Sequence, residues 1–123
     1  MGAPVVRWQI VSPRPDEVVR FYGAVFGWVE RRDNALGYRA LQTGGGIQGG
    51  VWPAPADAAT FVQLFVEVDD VDAAIEAALA HGGAVVVPRS VLPDGDVMAI
   101  LRDPLGTSVG LVTPASRTAA PNS

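Results

Sequence analysis

The apolar positions along residues 5–53 change period several times. Residues 5–11 are rich in β-branched and aromatic side chains, which predicts a strand. Ser12-Pro13-Arg14-Pro15 stops it. Pro15 then opens a helix with Asp16 and Glu17 in its first turn, because proline presets φ and acidic groups offset the partial positive charge there. Val18, Val19, Tyr22, Val25 and Phe26 recur at helical spacing until Gly27 closes the helix. Three short strands fit residues 28–32, 36–43 and 47–52, and a Pro/Ala linker covers 53–59. The pattern then restarts. Residues 61–68 read as a strand, Asp69 and Asp70 cap a helix, and Val71, Ile75, Ala78 and Leu79 form its inner stripe. His81-Gly82-Gly83 ends that helix, and strands follow at 84–87, 97–102 and 108–112, with Asp94-Gly95 as a turn signal.

The restart is an internal repeat. At an offset of 56, Arg7 falls on Gln63, Ile10 on Val66, Asp16 on Asp72, Val19 on Ile75 and Gly27 on Gly83. At an offset of 60, Leu41 falls on Leu101, Gly46 on Gly106 and Gly50 on Gly110. Two βαβββ units follow from this, residues 5–53 and 61–113, in one domain of residues 1–114 with a disordered tail at 115–123.

Composition removes whole classes of chemistry. The 123 residues include no cysteine, no lysine and one histidine, His81. That excludes thiol nucleophiles, disulfides, Schiff bases and the multi-imidazole sites of most catalytic zinc enzymes. Nine arginines against 13 acidic residues give a formal charge of −4, which argues against nucleic acid as a partner. With 49% apolar residues there is material for a core, and no apolar run reaches the roughly 20 residues of a membrane span. The N-terminus has neither a secretory signal nor a myristoylation pattern, so a cytoplasmic protein with no membrane partner is expected.

Four motifs in order resemble one superfamily. Arg20-Phe21-Tyr22-Gly23-Ala24-Val25-Phe26-Gly27-Trp28 resembles its FYxxxFGW first helix, and Val66-Glu67-Val68-Asp69-Asp70-Val71-Asp72 the opening of its second module. His81-Gly82-Gly83 resembles the close of its second helix. Arg102-Asp103-Pro104-Leu105-Gly106 resembles its DPxGN hairpin, with Thr107 where asparagine is usual. On these grounds the chain resembles the vicinal oxygen chelate (VOC) superfamily of glyoxalase I, bleomycin-resistance proteins and extradiol dioxygenases. The resemblance implies an α+β fold in which two βαβββ modules form a curled mixed sheet, a half-barrel around a cavity, and commonly a homodimer. It also implies a metal ring, whose four positions carried to this chain are Arg7, Gly50, Gln63 and Gly110. None is a usual ligand for a divalent ion, so neither a metal nor another cofactor is expected.

Strand alternation extends the candidate cavity face. With Arg7, Gln63, Gly50 and Gly110 come Gln9, Val11, Phe65, Glu67, Gln48, Trp52, Ser108 and Val112, while Trp8, Ile10, Leu64, Val66 and Val68 face the helices. The two glycines leave space in which an organic group approaches the sheet. Arg7 is either a clamp for a carboxylate, phosphate or enolate or a structural partner of Glu67. Glu67 is either a general base or half of that ion pair. Trp52 and Phe65 either stack on a ligand or pack the core. Two functions stay open: metal-free binding of a small organic molecule, as in sequestering or resistance proteins, and a metal-independent isomerase, epimerase or lyase using Glu67 and Arg7. A metal-dependent glyoxalase or dioxygenase fits less well. His81 reads as a helix terminus, Gly44–Gly49 as a hairpin despite its GxGxxG spacing, and Arg31, Arg32 and Asp33 as a solvated turn.

Overall fold

A computed structural model describes residues 2–31 and 37–118; Arg32 and Asp33 of the expected turn lie outside these residues. The element order is β1 (Val5–Ser12), α1 (Pro15–Phe26), β2 (Val29–Arg31), β3 (Arg39–Gln42), β4 (Gln48–Pro53), β5 (Phe61–Glu67), α2 (Val71–Ala80), β6 (Ala84–Val91), β7 (Val97–Arg102), β8 (Ser108–Thr113) and α3 (Ala115–Thr118). This is an α+β chain made of two βαβββ modules, as the repeat predicts. It divides into two compact units, Arg7–Gln63 and the remainder, the second beginning within β5 and including the first residues of the chain. No helix among the described residues is long and apolar enough to cross a membrane.

In the first unit the strand order is β2-β3-β4-β1, with β1 parallel to β4 and the other pairs antiparallel. The helix between β1 and β2 starts at Pro15, and Gly27 ends it at φ 75°, where only glycine sits without strain. Ile10, Leu41 and Val51 are buried on one face of this unit, and Trp8 lies tilted against Trp28 at a centroid distance of 5.2 Å. Trp28 also stacks on Tyr22 at 5.3 Å, so the FYxxxFGW segment is an aromatic packing motif. Val25 and Phe26 share the helical period yet stay more than half exposed. Phe26 nevertheless contacts Tyr22 and Trp28, at centroid distances of 5.9 and 5.3 Å.

Arg39 fastens α1 to the strands. Its Nε and Nη2 donate to Glu30 at 2.6 and 3.0 Å, and its Nη1 donates to Asp16 in the first turn of α1. The sequence motifs do not single out this residue. The GxGxxG stretch is the β3–β4 hairpin, with Gly44 and Gly46 at positive φ and a strand after it, as expected.

The second unit repeats the topology as β5-β8-β7-β6, with β5 parallel to β8. Val71, Val97, Ala99, Leu101 and Leu111 form its core, with Val66, Val68, Ile75 and Ala78 packed against them. Each such fully buried Val or Leu contributes about 1.5–3 kcal/mol of transfer free energy. Asp70 caps α2 by accepting from the Ala73 amide, and the His81 Nδ1 donates to the Ala77 carbonyl, so both residues are structural as the sequence suggests. Leu64, expected on the helix side with Val66 and Val68, is 46% exposed, whereas those two valines pack against the core. Leu79 likewise stays more than half exposed.

Strand β6 extends four residues beyond the predicted 84–87. It lies at the end of its sheet order with Pro88 inside it and register shifts on either side of Val87. An edge strand tolerates a residue that cannot donate to the ladder, at the cost of such irregularity. The Asp103 hairpin is held by its own carboxylate, which accepts from the Leu105 and Thr107 amides at 2.9 Å each. Ala115–Thr118, expected in a disordered tail, form a short helix whose first amide donates to Asp96 at 2.8 Å; residues 119–123 lie outside those described.

Candidate functional site

Register decides which candidate side chains share a face. In the first unit Arg7 pairs with Gln48, Gln9 with Gly50, and Val11 with Trp52. Paired residues point to the same side, so these six lie together, opposite Trp8, Ile10, Gly49 and Val51. In the second unit Phe65 pairs with Gly110, and Glu67 with Val112. The Gln9–Gly50 and Phe65–Gly110 pairs are therefore equivalent positions of the repeat, which independently supports the matching of Gly50 with Gly110. Ser108 pairs with Arg102 on the other side of β8 and is half-buried.

The space expected at the two glycines is filled from within each unit. A Cβ added at Gly50 would lie 2.5 Å from both Cζ and Oη of Tyr38 and 2.6 Å from the Arg39 carbonyl oxygen. A Cβ added at Gly110 would collide with three atoms of the Phe65 ring. Phe65 is 3% exposed, so of its two expected roles the packing one describes it. The expectation of open room against the sheet is corrected: each glycine is the seat of an aromatic ring. Cross-strand contact across a glycine is short because nothing separates the ring from the backbone.

Tyr38 is the residue that the sequence reading missed. It precedes Arg39, which pairs with Val51, so Tyr38 shares the side of Ala40, Gly50 and Trp52. Its ring centroid is 6.1 Å from that of Trp52. Burial pushes its phenol up to about 12, against the nearby Arg7 cation, which pulls it down. A raised folded value means that the native state holds its proton more tightly than the unfolded chain. The resulting stability is fully present below pH 10.0, the ordinary value, and is lost as the pH rises toward about 12. Urea unfolding between pH 9 and 12 is expected to show this decline, and Tyr38→Phe to flatten it; an unchanged slope in the variant would mean that another group titrates.

Gln63, in β5, is 1% exposed, and its Nε2 is buried without a hydrogen bond although the residue has other interactions. Glu67 is half-buried at the end of β5, and its backbone amide donates to the Pro4 carbonyl at 2.9 Å.

The four metal-ring positions can now be tested for fit. Arg7 brings a permanent cation, Gln63 presents an amide donor, and Gly50 and Gly110 bring aromatic rings in place of carboxylates. Divalent ions require anionic or imidazole donors, and a guanidinium repels them. Among the described residues no three His, Cys, Asp or Glu side chains gather as a metal cluster elsewhere. The residues present do not fit a divalent metal.

Comparison with known proteins supplies the family. The model of the glyoxalase-like domain matches residues 8–112. The "Putative glyoxylase CFP32" of Mycobacterium tuberculosis is 31% identical over 111 residues, covering 87% of this chain and 42% of that protein, and its Mycobacterium bovis counterpart matches equally. The chain thus spans less than half the length of these curated relatives. Among solved structures, methylmalonyl-CoA epimerase from M. tuberculosis aligns with a TM-score of 0.63 at 20% identity, covering 95% of this chain and 91% of that one. A variant of the Streptomyces coelicolor methylmalonyl-CoA epimerase, in complex with 2-nitronate-propionyl-CoA, aligns at 0.61 and 21% identity, covering 92% and 95%. A hypothetical protein from Bacillus halodurans, BH1468, aligns at 0.67 and 11% identity, covering 92% and 95%. At these identities the structures show the fold.

Proposed function

We propose a function for a chain that belongs to the glyoxalase-like domain family of the vicinal oxygen chelate superfamily: it binds a small organic molecule without a metal ion, in the manner of a sequestering protein. The observation that carries this reading is the replacement of carboxylate positions by rings. Gly50 seats Tyr38 and Gly110 seats the buried Phe65, so the places from which the family's ligands would reach a metal are occupied by aromatic rings. In the first unit the Gly50 side of the sheet combines Arg7, Gln9, Gln48 and Trp52 with the Tyr38 ring. Polar donors beside aromatic faces suit an organic ligand, because a few fixed hydrogen bonds orient it while apolar area supplies most of the affinity.

The test is elemental analysis of the purified protein together with thermal denaturation against a small-molecule panel in EDTA. Ligand-induced stabilisation with no bound metal is expected. Stoichiometric zinc, nickel, iron or manganese on which binding depends would sink the reading.

A second reading is favoured by the epimerases among the similar structures. Here Glu67 acts as a general base on a carbon acid such as methylmalonyl-CoA, taking the proton while the electron pair moves onto the adjacent carbonyl oxygen. Solvent deuterium incorporation into that probe, abolished in Glu67→Gln, would favour catalysis. No incorporation with binding intact leaves sequestration. We also propose a homodimer in the cytoplasm; a monomer by light scattering removes the dimer.

A further inference from the structure

We infer that Tyr38 and Arg7 together form a receptor for an anionic oxygen, so that the first unit selects a planar organic acid, with its carboxylate at these two groups and its ring beside Trp52. The inference rests on the metal-free binding reading and names the ligand class for it.

Three observations converge. The β1–β4 register puts Arg7, Gln9, Gln48, Gly50 and Trp52 on one side, and the β3–β4 register adds Tyr38. Of these residues none is acidic, and Arg7 brings a permanent cation whose paired N–H groups match a carboxylate. Second, Gly50 lets the phenol lie directly against the strand: its Oη would be 2.5 Å from a side-chain carbon at that position. The hydroxyl is held by backbone packing, and a donor held in place is worth more to a ligand than one that must be ordered on binding. Third, Arg7 pairs with Gln48, two positions along β1 and β4 from the Gln9–Gly50 pair against which the phenol lies, so the guanidinium and the hydroxyl stand on the same side of neighbouring pairs.

The two donors are complementary. Guanidinium offers paired N–H groups and full charge, matched to a carboxylate. The phenol offers one O–H, set directly against the Gly50 backbone and so presented from a fixed position. The tilted ring of Trp52, 6.1 Å from Tyr38, supplies an apolar face for a flat body attached to the acid.

The experiment uses 2-naphthoate and its neutral isostere 2-naphthamide as probes, titrated into the full-length protein by calorimetry and by amide-resolved NMR. Naphthoate is expected to bind at least tenfold more tightly than naphthamide, with a constant unchanged between pH 6 and 9. Tyr38→Phe keeps the ring and removes only the O–H; it is expected to weaken naphthoate about tenfold, the usual effect of a hydrogen bond to a charged group. It should leave naphthamide unaffected. Arg7→Gln is expected to remove the preference for the acid, with NMR confirming that the variant is folded. Equal binding of the two probes, or an unchanged naphthoate constant in Tyr38→Phe, overturns the acid receptor while metal-free binding stands. Failure of naphthoate to bind also overturns it. The broader reading falls only if elemental analysis in addition returns a stoichiometric metal on which binding depends.

Discussion

Gly50→Ala is expected to lower the unfolding free energy by about 2–3 kcal/mol, the upper part of the usual cost of overpacking. The reason lies in what the new carbon meets. At Gly50 it faces the Tyr38 ring and also the Arg39 carbonyl oxygen at 2.6 Å, and a backbone atom within a paired strand has little freedom to move. Gly110→Ala meets only Phe65 ring atoms, so a rotation of that side chain relieves part of the clash. Its cost should be about 1–2 kcal/mol and should fall in a Phe65→Leu background, a coupling that a double-mutant cycle measures. The parallel test at Gly50, in a Tyr38→Ala background, should recover less because the carbonyl remains. Urea midpoints at constant slope decide it. A loss below about 0.5 kcal/mol for Gly50→Ala, the range of ordinary surface substitutions, would mean that the ring is not seated there.

The second large effect concerns Arg39→Met, which is expected to destabilise the chain by about 2–4 kcal/mol. The Arg39 side chain is 11% exposed and its partner Glu30 18%, so removing the guanidinium takes two charge-assisted hydrogen bonds from a carboxylate with little access to water. The hydrogen bonds to Glu30 hold Arg39 even further into its charged form than usual, against a smaller opposing effect of burial. The folded value is therefore raised, and the corresponding stability is present below the ordinary arginine range and lost only at more alkaline pH still, so Arg39 keeps its charge in any working buffer. Asp16→Asn should by contrast cost under about 0.5 kcal/mol, because Asp16 is an exposed partner of the same arginine and exposed pairs are weak. Pairing Arg39→Met with Glu30→Leu should restore part of the loss, since it removes the poorly solvated carboxylate as well. If Arg39→Met alone were neutral, the cluster would be decorative.

Most of the architecture is legible along the chain because it depends on short-range periodicity. Prolines and glycines punctuate the elements, the helix starts carry acidic residues, and the repeat at offsets of 56 and 60 puts equivalent residues on equivalent strands. Strand alternation correctly groups Arg7, Gln9 and Val11 with Gln48, Gly50 and Trp52, because a side-chain period of two leaves only two choices. Where prediction stopped short, the deciding contact was between strands. Tyr38 carries no motif. Alternation from the buried Leu41 would have put Tyr38 opposite the core, but its position over Gly50 follows from the pairing of Arg39 with Val51. Arg39 was equally silent, since its partners stand 9 and 23 residues away.

The sequence by itself determined the twice-repeated βαβββ pattern, for which local spacing suffices, and its motifs carried a resemblance to the VOC superfamily, which implies metal-ring positions at Arg7, Gly50, Gln63 and Gly110. Only the tertiary structure decided what the glycines mean. A glycine in a string of letters is an absence, and absence reads as room. In the folded chain, a strand without a side chain is where a neighbouring ring comes closest, and Tyr38 and Phe65 occupy the two places. Register between strands is a long-range choice, so the same two residues that sequence reasoning left as gaps became the seats of the aromatic side chains.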